Sequence, residues 1–184
     1  MKKIVWTFGL ISGAVMAAFM VATVPFVGNH GAVDLIIGYA GMVAAFLLVY
    51  FGVRSYRDNV LGGTISFGRA FSAGILIAAI ASLCYVVTWE VIYYKFMPDF
   101  YAKYGQSAVE RARKSGKSEA EVAKVRADMD TMVRRVENPL FVAVVTFGEP
   151  FPVGLIIALV AAGVLRRKRT ERGGAAEAMR QSVA

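Results

Sequence analysis

The fold class the sequence predicts is an all-α polytopic membrane protein: four transmembrane helices, with a helical hairpin inserted between the third and fourth. Three observations predict it. Four long apolar runs are nearly free of charge, the charged residues collect between and after them, and segment 118–137 repeats its apolar residues at helical spacing. Composition agrees: 57% of the 184 residues are hydrophobic and the mean hydropathy is +0.55. A soluble domain has about 45–50% apolar residues. The formal net charge of +8 is segregated from the apolar runs, which places it against a membrane surface. No nucleic-acid-binding module is visible between the spans, so nucleic acid is not an expected partner.

The first element is the uncharged run Ile4 to Val27, preceded by Lys2 and Lys3. At 1.5 Å per residue it covers roughly 36 Å, enough for a hydrocarbon core of ~30 Å. It exceeds the apolar core of a signal peptide, and no small-x-small cleavage site follows, so it reads as a retained span. A polar turn containing His30 leads to the second run, Leu35 to Val53, closed by Arg54 and Arg57. The third span is placed at 70–95. Trp89, Tyr93 and Tyr94 near its end form an interfacial aromatic belt.

The segment 98–138 is rich in both signs of charge and reads as a helical hairpin outside the lipid. Ser118 and Glu121 have capping-box spacing. Val122, Val125, Met129, Met132, Val133 and Val136 follow at steps of three and four, the mark of an amphipathic helix. A shorter helix precedes it, with Pro98 near its start and Gly116 past its end. The fourth span, 140–165, ends at the basic cluster Arg166 to Arg169. The polar 170–184 tail has the composition of a disordered segment.

Basic residues set the expected orientation. With the N-terminus inside, four spans return the C-terminus inside. Lys2, Lys3, Arg54, Arg57, Arg69, Arg166 and Arg167 then share the cytoplasmic side of a bacterial inner membrane. The basic residues of the hairpin run against this rule, although acids nearly balance them.

At "LGGTISFGRAFSAG" the chain resembles the domain-of-unknown-function 4199 family of bacterial membrane proteins. The resemblance rests on Gly62, Gly63, Ile65, Ser66, Phe67, Gly68, Arg69, Ala70, Phe71 and Gly74, with "MPDFY" and "PVGLIIALVAAGVLRRK" as further similar stretches. It extends over roughly Ile4 to Lys168. It implies a four-span integral membrane protein and brings no catalytic residues with it.

The residues that carry chemistry are few. Glu149 sits in "FGEPFP", inside the fourth run, and an ionisable residue within a span is a functional hypothesis by default. Pro150 and Pro152 each remove an N–H and clash with the carbonyl four residues back, so the span is expected to break here. The structural reading makes Pro150 a helix start with an acid before it. The functional reading makes Glu149 a proton or ion site, for which broken helices are a known device. Glu90, at similar depth in the third span, is a second candidate, and the two carboxylates together could share a proton or hold a cation.

Small-residue steps, Gly9/Gly13 and Ala70/Gly74/Ala78, allow close helix approach within the chain or in a homo-oligomer. Arg54, Arg57, Arg69, Arg166 and Arg167 suit anchoring to lipid headgroups. "GTISFG" has the glycine spacing of a phosphate loop but lacks the Lys-Ser/Thr that would reach phosphate and metal. With one histidine, one cysteine and no nucleophile–base pair, the sequence suggests no metal site, no cofactor and no enzyme. Two functions remain. The first is a membrane protein whose hairpin stripe, 118–137, serves assembly with a second copy or a membrane or periplasmic partner. The second is a small transporter or transporter subunit using Glu149.

Overall fold

The structure, a computed structural model, describes residues 1–24 and 32–166, the side chains of 32–35 excepted. His30, Arg167 and the 170–184 tail lie outside the described residues. Among those described, every regular element is helical: α1 Lys2–Thr23, α2 Ala32–Asn59, α3 Phe67–Val91, α4 Phe100–Lys114, α5 Glu119–Arg135, α6 Pro139–Phe147 and α7 Pro150–Leu165. A π-helical turn, Ile92–Phe96, prolongs α3. Four segments are long and apolar enough to cross a membrane: Lys2–Thr23, Ile36–Asn59, Phe67–Phe96 and Pro139–Leu165. Their outward faces are apolar, as at Ile36, Val87, Ile156 and Val164. An apolar belt of that extent is compatible with lipid and not with water.

The four spans form one bundle around α3, and small residues let them approach. A Cβ at Gly9 would meet the Ile80 side chain at 2.8 Å, and one at Gly13 would meet Cys84 Cβ at 2.5 Å. Gly74 lies against Ala158 of α7, and Gly154 lies against Ala78 and Phe46. The α1 and α3 small-residue steps therefore pack within the chain, as does Cys84. Ala70 and Ala73 join Ala161, Ala162 and Leu165 in a buried cluster. The Ser12 hydroxyl donates to the Ala45 carbonyl at 2.9 Å, tying α1 to α2.

Lys2, Lys3, Arg54, Arg57, Arg69 and Arg166 share one end of the bundle, the basic end, and the hairpin, with charges of both signs, lies at the other. At the basic end α2 continues to Asn59, six residues beyond the expected span, because Arg54 and Arg57 do not stop it. Both pair with Asp58 on the exposed last turns. Gly62 and Gly63 then turn the chain with φ of 65° and 88°, conformations that suit glycine. α3 begins at Phe67 instead of 70, since Ser66 caps it by accepting from the Arg69 N–H. Arg69 and Arg166 are exposed at this end.

The hairpin's apolar stripe is covered by the chain itself. Val122 packs on Val109 and Ala112 of α4, and Met129 lies over Gly105. Met132 and Val136 join Tyr93, Trp89 and Val142 where the hairpin meets the bundle. The Tyr94 hydroxyl donates to the Val136 carbonyl at 3.1 Å, fixing that base. The Ser118–Glu121 capping box forms, with both reciprocal hydrogen bonds in place. Those bonds, which favour the charged form, hold the Glu121 carboxyl below its ordinary range. Gly116 ends the α4–α5 turn with φ of 75°.

Candidate functional site

The break in the last span is built by its sequence. α6 ends at Phe147, and Gly148 donates to the Val144 carbonyl at 3.1 Å. Glu149 donates its backbone N–H to Thr146 at 3.3 Å, the carbonyl that residue 150 would serve in a continuous helix. Pro150 opens α7 and Pro152 follows in its first turn. A helix start leaves about four N–H groups without intrahelical partners. In lipid each would be costly, and two prolines remove two of them. The prolines thus make a helix start tolerable inside a membrane span.

Glu149 occupies the N-cap position of α7, yet its side chain makes no capping bond. Its Oε2 instead accepts from the Tyr85 hydroxyl of α3 at 3.1 Å. Sixteen residues separate Tyr85 from Arg69, and seventeen separate Glu149 from Arg166. At 1.5 Å per residue the pair stands roughly 24 Å from the basic end of the bundle. A hydrocarbon core of ~30 Å would therefore still enclose it, in the half nearer the hairpin.

The pair borders a cavity of about 640 Å³. α1 and α2 contribute thioethers, Met16, Met20 and Met42, and the rings of Phe19 and Tyr39. Tyr85 and Trp89 come from α3, and Val145, Thr146 and Glu149 from the break. Phe100, Tyr101, Tyr104 and Met132 of the hairpin form its roof. The rings support one another: Trp89 meets Phe100 edge-on with centroids 5.0 Å apart and stacks on Tyr93 at 6.4 Å. Burial, and to a lesser degree the charge of Glu149, push the Tyr101 phenol up. Glu149 is the one charged side chain among the described residues that line the cavity, and it is exposed, on an open side of it.

The candidate residues separate cleanly. Glu149, Pro150 and Pro152 all sit at the break. Glu90 does not join them: it is outside the described lining of the cavity. Five helical residues beyond Tyr85 place it about 140° around α3 from the residue that Glu149 meets. Among the described residues, no group of three or more His, Cys, Asp or Glu is placed to hold a metal ion. Sequence reasoning missed Tyr85 and the cavity. The available signal was a set of methionines and aromatic rings that the spans carry to one depth.

A family model described as Protein of unknown function (DUF4199) matches residues 7–167. No curated protein and no solved structure matches the chain.

Proposed function

The chain belongs to this DUF4199 family of proteins of unknown function, so its role has to be read from its own chemistry, and we propose that it is a non-enzymatic multi-pass membrane protein that binds its ligand in the cavity through Glu149. This is the binding half of a small transporter or transporter subunit. One observation carries the reading: a carboxylate at a proline-built helix break, hydrogen-bonded to Tyr85 at 3.1 Å, is the charged group among the described lining of a cavity in a bundle of four span-length apolar helices. A charged carboxylate costs roughly 3 kcal/mol at the centre of a span and less toward either face, so placing one here still carries a cost. A purely structural break needs the prolines, but it does not need the acid.

The membrane is a bacterial inner membrane, with the basic end and both termini cytoplasmic and the hairpin outside. The basic end supports this orientation through Lys2, Lys3, Arg54, Arg69 and Arg166. Assembly through the hairpin is the weaker reading, because Val122 and Val136 are already buried within the chain.

Dicyclohexylcarbodiimide tests the proposal, since it reacts with protonated carboxyl groups in apolar surroundings. Applied to the protein in membranes, it should modify Glu149, and Glu149→Gln should remove that adduct. Modification confined to the acids of 99–137, with Glu149 untouched across the pH range, would contradict the reading.

A further inference from the structure

The lining of the cavity names a ligand class, and we infer that the site takes an amphipathic organic monocation, a cationic headgroup on an aromatic or branched apolar body. The inference rests on the preceding reading of Glu149 as the ligand's anchor.

Three features of the cavity select that class. Size comes first: about 640 Å³ lies within the roughly 300–1,000 Å³ typical of sites for drug-sized molecules, far more than a proton or bare ion requires. Charge comes second. Glu149 supplies negative charge, and the described lining contains no Lys, Arg or His to receive an anion. An anionic or zwitterionic lipid headgroup would bring a phosphate with no basic partner there. Surface chemistry comes third. The faces of Tyr39, Tyr85 and Trp89 carry the negative side of the aromatic quadrupole, which attracts a cation. The thioethers of Met16, Met20, Met42 and Met132 supply a deformable apolar wall for a bulky body.

A hard inorganic cation fits less well. Calcium takes six to eight oxygen ligands and magnesium near-octahedral oxygen geometry. Among the described lining side chains, Glu149 is the only carboxylate, and its neighbours are phenols, a few hydroxyls, rings and thioethers.

The probe is tetraphenylphosphonium, with tetraphenylborate as its anionic counterpart of the same shape. The chain has two tryptophans, so Trp6→Phe leaves Trp89 of the cavity wall as the reporter. In nanodiscs of zwitterionic lipid, the phosphonium should change Trp89 fluorescence saturably and the borate should not. Glu149→Gln should weaken phosphonium binding roughly ten- to hundredfold, the size of one interaction with a charged group. Glu149→Asp, which keeps the charge, should recover most of the affinity and guards against reading a folding defect as lost binding.

Equal binding of phosphonium and borate, or phosphonium binding unchanged in Glu149→Gln, would overturn the inference. So would the absence of any saturable response. If carbodiimide still modifies Glu149 in that case, the ligand class is wrong while the carboxylate site stands. If neither reagent finds Glu149, both readings fail.

Discussion

The two halves of the bundle use opposite packing. In the basic half, glycine and alanine bring helices into near-backbone contact: Gly9 on Ile80, Gly74 on Ala158, Ala70 beside Ala161 and Ala162. In the hairpin half Gly13 still packs on Cys84, but large aromatic and thioether side chains line the space beside that contact, α6 and α7 part at Glu149, and a cavity of about 640 Å³ is left. Without a hydrophobic drive between helices in lipid, close van der Waals contact is what holds spans together. The tight half can therefore act as the frame, and the loose half can afford a polar group and empty volume.

Overpacking the tight half gives the largest expected effect. Gly154→Leu must push a side chain into Ala78 and Phe46, where even a Cβ would sit at 2.8 and 3.0 Å. It should cost at least about 1–3 kcal/mol, read as a clear fall in the thermal unfolding temperature in detergent. Met20→Leu, on the cavity wall, should cost less than about 1.5 kcal/mol. Equal losses at the two sites would erase the distinction between the halves.

A smaller effect sharpens it at the hairpin. Ser118→Ala removes the cap of α5 and should cost about 1 kcal/mol. Faster amide exchange should follow in Glu119–Arg135 while the spans stay protected. The same cap gives the hairpin a pH dependence. The Glu121 pKa is lowered in the fold by Ser118, so its contribution is present above the unfolded glutamate value of ~4.3. It is lost as pH falls through the folded value. The exchange difference between wild type and Ser118→Ala should therefore shrink in acid. A difference that acid leaves undiminished would mean that the Ser118 hydroxyl on the Glu121 N–H is the whole of the cap and the carboxylate adds nothing to it.

What was legible in the sequence follows from which forces act locally. A lipid core demands about twenty apolar residues, so the four spans stand out as uncharged runs. Pro150 and Pro152 act on their own backbone, so the break is readable from "FGEPFP". The capping box at Ser118 and Glu121 is equally local. Pairings that depend on helix rotation were not readable. Glu90 and Glu149 look alike in depth, but only a three-dimensional rotation places Tyr85, and not Glu90, toward the break. The fate of the Val122–Val136 stripe was open for the same reason, since periodicity reveals an apolar face and not what covers it. The π-helical turn at Ile92–Phe96 has no sequence signal of its own. Two of its residues, Tyr93 and Tyr94, make the contacts at the hairpin base. The cavity is the least legible feature, because it is assembled from residues of six helices and the N-cap of a seventh.

The most direct test of the central claim is thiol accessibility at residue 149. A single cysteine, Glu149→Cys in a Cys84→Ser background, is probed in intact cells with membrane-permeant and impermeant maleimides. A cavity site within the span predicts modification by the small permeant reagent and slow modification by the bulky impermeant one. Rapid and equal labelling by both reagents from outside would place residue 149 at the membrane surface, and Glu149 would then be no more than the acid before a helix start.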